Sequence, residues 1–277
     1  MQPSVQIREK KEQPSCDSRI EKFKRAQVYQ QRYWDQQWKE NPDRQKQAGA
    51  NWTRYIDFLN SRGFVTADAR ILDVGCGPCG MINFLGAGQR FGLDTLADYY
   101  CSKFGMQVDI TWVKGSGENL PFGKGMFDVV ITTDTIDHAD NPEALMYDIY
   151  RVLKVNGIVF LAVNTYSGGT NLVKHIHHVL GIDSPAELHS YSFNDVKRLI
   201  EKTGFTVLTS WHDVMDLEAT TGQSTGRESE FRKTITKAGK IAKSDGAWEG
   251  LKYMIAVFTG GRVYQGDSIF LARKQES

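Results

Sequence analysis

The sequence has no dominant charge, no long apolar run and too few cysteines to cross-link a fold, and each shortage removes a class of protein. Lys and Arg number 34 against 33 Asp and Glu, for a formal net charge of +1. No broad field therefore draws in a polyanion, and nucleic acid is not an expected partner. Apolar stretches such as Ile158 to Val163 are far shorter than the roughly 20 residues a membrane-crossing helix needs. Stable membrane insertion is not expected either. The cysteines, Cys16, Cys76, Cys79 and Cys101, are scattered and read as thiols in a reducing compartment. Ahead of Lys10 and Lys11 stand Gln, Pro, Ser and mixed charges rather than a secretory apolar core, so the expected location is the cytoplasm.

What is present is enough apolar material, 40% of 277 residues, for one large α/β domain. Residues 1–50 read as an N-terminal extension and helical cap, with a helix over 19–39 ended by Asn41 and Pro42. Its aromatics, among them Tyr29, Tyr33 and Trp34, argue against a purely disordered tail. Residues 51–277 read as the main domain. From Arg70 onward short apolar runs alternate with helical stretches. Strands are expected at 70–74, 90–93, 107–113, 127–132, 157–163, 205–211 and 268–272. Helices are expected at 79–85, 96–104, 142–153 and 193–203, the last capped by Ser192 with Asp195 three residues on. Two stretches, about 165–190 and 212–263, resist the pattern. Insertions after strands fall at the carboxyl edge of an open sheet, so they read as lids over a ligand.

The run Ile71-Leu72-Asp73-Val74-Gly75-Cys76-Gly77-Pro78-Cys79-Gly80 puts glycines where a strand ends and a turn must pass close to a ligand. The next apolar strand ends at Asp94, a carboxylate placed to accept hydrogen bonds from both hydroxyls of a ribose. Strand, glycines, strand and terminal acid together point to a nucleoside-type ligand. Asp73, just before the first glycine, would repel a pyrophosphate and suits a ligand carrying an ammonium and a sulfonium.

Four segments carry a family resemblance: Leu72 to Gly77, Gly115-Ser116-Gly117-Glu118-Asn119-Leu120-Pro121-Phe122, Phe127-Asp128-Val129-Val130 running to Ile136-Asp137-His138, and Arg151-Val152-Leu153-Lys154-Val155-Asn156-Gly157. The chain from Arg70 to Trp211 resembles the class I S-adenosylmethionine-dependent methyltransferases, particularly the small-molecule branch that includes the ubiquinone and menaquinone enzymes. The resemblance implies a Rossmann-like, doubly wound α/β fold with a seven-stranded sheet, mostly parallel with an antiparallel last strand. It implies S-adenosyl-L-methionine as cofactor, with Asp73, Gly75 and Gly77 at its methionine part, Asp94 at its ribose, and Cys76, Thr95 and Glu118 among its further contacts. Ser116 stands where the family usually has the Asp that accepts from the adenine amino group, a departure that shifts adenine recognition toward the Gly117 backbone and Leu93. Thr133 would meet the donor's amino end, and Tyr29, Tyr33 and Trp34 of the aromatic helix would close over it or serve only as packing residues. Asn156 departs from the family's Pro-Gly-Gly turn, but Asn tolerates the positive φ such a turn requires.

The implied reaction is methyl transfer to an oxygen or nitrogen of a small-molecule acceptor, a metabolite, sugar or lipid-like compound. The carbon on positive sulfur is already activated, so the protein has mainly to align the acceptor, exclude water and take a proton where one is released. His138, past the fourth strand, is the candidate base, with Asp137 or Asp134 to orient it. His138 could equally serve only to tie its own loop. Tyr166, His189 and Tyr191 are candidate acceptor contacts. His175, His177 and His178 lack ligating partners nearby, and Cys76 with Cys79 has no second pair, so no metal is expected. A nicotinamide-dependent oxidoreductase and a catalytically silent donor-binding protein remain open as alternatives. The residues leave the oligomeric state undefined.

Overall fold

A computed structural model describes residues 16–166, 189, 191–213 and 264–275. The elements are α1 (Cys16–Glu40), α2 (Arg44–Ser61), β1 (Arg70–Val74), β2 (Gln89–Asp94), α3 (Ala97–Phe104), β3 (Thr111–Lys114), β4 (Phe127–Thr133), α4 (Pro142–Val152), β5 (Leu153–Tyr166), α5 (Phe193–Lys202), β6 (Phe205–Asp213) and β7 (Tyr264–Lys274). The strands form one seven-stranded sheet in the order β3-β2-β1-β4-β5-β7-β6. β1 to β5 run parallel, while β7 is antiparallel to both β5 and β6. This is the Rossmann-like α/β architecture the sequence implied.

Each central strand is apolar on both faces because each face is covered. Leu72, Val74, Val130, Val159 and Phe270 pack with Leu145 and Ile149 of α4 and Ile200 of α5. Ile71, Val129, Ile131, Phe160 and Leu271 pack with Tyr55, Ile56 and Leu59 of α2. Burying residues of this kind contributes roughly 1.5–3 kcal/mol per side chain, which makes the sheet the rigid base of the molecule. The helix ends are closed as their residues dictate. Asn141 accepts from the Ala144 amide at the start of α4 (3.1 Å). Ser192 and Asp195 form the expected reciprocal box at α5, the serine Oγ accepting from Asp195 N (3.2 Å) and the carboxylate from Ser192 N (3.0 Å).

Local expectations fail in three places. The helix expected over 79–85 is only a 3₁₀ turn, Met81–Phe84. Gly80 before it and Leu85 after it are extended, and so short a segment cannot nucleate an α-helix. The strand expected from 107 begins at Thr111. Helix α2, which no expectation covered, runs through the boundary drawn at residue 50. Its core residues Trp52, Tyr55, Ile56 and Leu59 follow helical spacing, and Gly49 lets it approach the 3₁₀ turn, since a Cβ there would lie 3.0 Å from the Phe84 ring. Residue Asn156 has φ +63 at the start of β5, where the register with β4 shifts, so the departure from Pro-Gly-Gly keeps its turn. Most of both expected insertions, residues 167–188 and 214–263, lies outside the described residues, as do His175, His177 and His178.

Candidate active site

The sheet order reverses between β1 and β4, so the chains leaving them part and open a crevice at the carboxyl edge. On one side β1 runs into Gly75 (φ +71) and Gly77 (φ +50). Gly75 N and Cys76 N donate to Leu93 O at 2.8 and 3.2 Å, folding the turn back across β2. A Cβ at Gly75 would stand 2.4 Å from Thr135 Oγ1, so both the backbone angle and the space require glycine.

Asp94, at the end of β2, holds this turn. Its Oδ2 accepts from Gly77 N (2.9 Å) and its Oδ1 from Leu96 N (2.8 Å), while the side chain lines the cavity. Burial raises its pKa, opposed by those two amides and the Thr95 hydroxyl. Beneath the turn, Asp73 is fully buried. Its Oδ2 accepts from Ile82 N (3.1 Å), and its Oδ1 has no hydrogen-bond partner. Burial pushes the carboxyl from its ordinary 3.8 up to about 7, against the Ile82 amide and with a further push from Asp94.

That shift has a measurable consequence. Below the ordinary pKa the folded and unfolded chains are both protonated at Asp73. Between about pH 4 and 7 the unfolded chain ionises first and folding loses stability, on the order of 4 kcal/mol in all. Asp73→Asn should therefore gain stability over the parent as pH rises from 4.5 to 7.5, read by chemical denaturation at both ends. An equal difference at the two pH values would show that Asp73 is already ionised at the lower one.

The opposite wall comes from the chain after β4. Thr135 Oγ1 donates between Val74 O (3.1 Å) and Thr133 O (2.9 Å), tying the β4 exit to β1. Asp134 takes φ +49, its amide donating to Ala162 O (2.9 Å). A third wall is the loop after β3, where Ser116, Gly117 and Glu118 face the cavity. Over these lies the N-terminal cap. Trp34 of α1 covers the glycine turn, its ring 3.5 Å from where a Gly77 Cβ would be. Asp35 accepts from Tyr99 Oη (2.6 Å), and Trp38 stacks on Phe104 at 4.2 Å, docking α1 on α3. Helix α2 reaches the turn through Trp52, whose Nε1 donates to Cys79 O (2.8 Å).

These walls enclose a cavity of about 1640 Å³. Of the residues singled out in the sequence, Gly75, Cys76, Gly77, Asp94, Thr95, Ser116, Gly117, Glu118, Thr133, Tyr33, Asp137 and His138 line it. Asp73 lies behind the lining. The ring of His138 stands 3.8 Å (Nε2) from Asp137 Oδ2, and its amide donates to Thr135 O. His189 and Tyr191 are placed outside the lining: the His189 amide donates to Asp137 O (3.0 Å), and Tyr191 packs against the core with its hydroxyl toward Ile136 O. Tyr166 ends β5, paired with Tyr264. Sequence reasoning missed Trp52, Arg54, Tyr55 and Asn164, all of which line the cavity; recognising α2 by its spacing would have found the first three.

The site fits a sulfonium-bearing nucleoside better than a dinucleotide. A pyrophosphate is held by the amides at the start of an α-helix, and the glycine turn here leads only into the 3₁₀ turn Met81–Phe84. A buried carboxyl, Asp73, stands below it and a half-buried one, Asp94, beside it instead.

Comparison with known proteins agrees. Residues 72–161 match the family model described as "Methyltransferase domain". The sterol 24-C-methyltransferase of Pneumocystis carinii is 28% identical over 57% of this chain and 45% of its own length. That of Saccharomyces cerevisiae is 27% identical over 58% and 45%. The matches thus span under half the length of these relatives. Among solved structures, phosphoethanolamine N-methyltransferase 2 of Haemonchus contortus, in complex with S-adenosyl-L-methionine, superposes at TM-score 0.55 and 18% identity, covering 81% of this chain and 53% of that one. The [4+2]-cyclase SpnF superposes equally well, TM-score 0.55 at 17% identity, over 81% of both chains. Such likenesses establish the shared fold.

Proposed function

We propose that this chain, whose residues 72–161 match a methyltransferase domain, is a class I S-adenosylmethionine-dependent methyltransferase that transfers the donor's methyl group to a lipid-like small molecule held under the N-terminal cap. The observation that carries this reading is the single cavity of about 1640 Å³ that joins the glycine turn and Asp94 to His138 and to the aromatic wall of α1 and α2. A site for one ligand typically encloses roughly 300–1,000 Å³, so there is room for two reactants. The two ends differ in chemistry. Carboxyls and backbone amides gather at the sheet edge, while Tyr29, Trp52 and Tyr55 line the cap side, offering apolar faces to an acceptor.

When bound, S-adenosylmethionine supplies a methyl carbon made electrophilic by positive sulfur. The chain's own residues do the rest. Asp94 would hold the ribose hydroxyls, the glycine turn and Thr133 the methionine part, and Ser116, Gly117 and Glu118 the base, all of them lining the cavity. Trp34 and Tyr33 cover the donor and keep water from the reacting carbon. His138 lies at the edge where the acceptor enters and takes the proton the acceptor releases, oriented by Asp137. The sterol relatives are named for transfer to carbon 24, which lends no support to the expected oxygen or nitrogen; their acceptor does support a lipid-like one.

The test is incubation with methyl-labelled S-adenosylmethionine and a panel of sterols, prenylated quinols and fatty amines, with the methylated atom read by carbon NMR. No label transfer to any of them, with intact donor binding, would overturn the enzymatic reading in favour of a silent donor-binding protein. His138→Ala should cut turnover about a hundredfold, the lower range for a general base, while calorimetric affinity for S-adenosylhomocysteine stays near that of the parent. Full activity in that variant would reduce His138 to a loop tie.

A further inference from the structure

The wall formed by residues 115–122 follows β3, which lies at the edge of the sheet and, among the described strands, pairs with β2 alone. Among the described residues no strand on its outer side holds this wall, and its own backbone bonds are few: Gly115 N to Asp94 O (3.1 Å), Asn119 N to Ser116 O (3.2 Å) and Phe122 N to Leu120 O (2.8 Å). Helix α4 supplies the rest. The Arg151 guanidinium donates through Nη1 to Phe122 O (2.6 Å) and through Nη2 to Leu120 O (2.9 Å). It is squared against Asp148 by Nε to Oδ1 (2.6 Å) and Nη2 to Oδ2 (3.0 Å), and that same Oδ2 accepts from Leu120 N. One ion pair thus satisfies both backbone groups of a buried residue. At the other end of α4, Glu118 Oε1 accepts from Asn141 N (3.0 Å). Between these ties Gly117 lies so close to α4 and β1 that a Cβ would stand 2.9 Å from both Leu145 and Val74.

We propose that Arg151 and Asp148 are positioning residues for the adenosine end of the donor, setting its affinity by holding the wall at 115–122 against the cavity. The inference rests on the donor reading above. The planar fork of Arg151 serves two carbonyls and a carboxylate together; a lysine ammonium in its place keeps the charge and cannot span them. Burial pushes the Asp148 carboxyl up, but the Arg151 contact and the Leu120 amide outweigh it and hold it below the ordinary range, so the pair stays charged through neutral pH. No atom of the pair lines the cavity, and its action on the donor passes through the loop.

Calorimetric titration with S-adenosylhomocysteine and with methylthioadenosine, which lacks the amino-acid part, tests this. Arg151→Lys should raise both dissociation constants by about tenfold, because both ligands share the adenosine end, and should leave the KM for acceptor unchanged. Ile149→Val, a buried change in the same helix, controls for loss of stability and should leave both constants within about twofold of the parent. Asp148→Asn carries the test if Arg151→Lys fails to fold. Parent-like affinities in the clamp variants, or an equal loss in Ile149→Val, would overturn the positioning role while leaving the donor reading intact. A parent protein that binds neither compound would sink the donor reading and this inference with it.

Discussion

Asp94→Ala should raise the dissociation constant for S-adenosylhomocysteine by about 10- to 100-fold, the equivalent of losing one or two hydrogen bonds to a charged acceptor. The effect is large because Asp94 has two duties. One is the proposed contact with the ribose. The other is internal: its carboxylate takes the Gly77 and Leu96 amides, so truncation leaves the glycine turn without the bond that sets its height over the cavity. Asp94→Asn, which retains an acceptor oxygen for one of the two amides, should fall between parent and alanine. Titration of the three proteins checks the order, and an alanine variant that binds like the parent would place the nucleoside elsewhere.

Gly75→Ala should destabilise the fold by about 2–4 kcal/mol and remove measurable donor binding, from two causes that add. Holding alanine at φ +71 costs about 1–2 kcal/mol. The new methyl also cannot share space with Thr135, whose hydroxyl would be 2.4 Å away, so Thr135 must move and give up its bonds to Val74 O and Thr133 O. A double-mutant cycle separates the two causes. Thr135→Ala in the Gly75→Ala background should recover the steric part and leave the backbone part, whereas simple additivity of the two substitutions would show that the collision does not occur.

The fold, and the glycine turn and Asp94 that line the cavity, were legible because their signals are local. Asp73, Gly75 and Gly77 sit within one turn, and Asp94 follows at the end of the next strand, so strand periodicity alone places them. The central strands β1 and β4 read correctly because nearly every residue in them is buried, whereas β3 at the sheet edge, with no buried residue, did not. The cap was harder. Helix α2 carries Gly49 and a run of polar residues at its start, which masked the regular spacing of Trp52, Tyr55, Ile56 and Leu59. In the other direction, the stretch from Cys79 to Leu85 has helical composition, yet its four-residue turn is bounded by extended residues and has its Ile82 amide captured by Asp73. The Thr135 tie across the cavity wall and the Arg151 tie to the loop behind it were invisible, since the partners are 61 residues distant for Thr135 with Val74 and 31 for Arg151 with Leu120.

β7 lies between β5 and β6, with Ile269, Phe270, Leu271 and Ala272 fully sealed from solvent, although it is made after both. As the chain leaves the ribosome, β5 and β6 therefore wait with open edges until a later segment threads between them. Such non-local pairing is slow to form and exposes sticky intermediates in the interval. Synthesis rate and chaperone supply should govern the yield of folded protein more strongly than its final stability does.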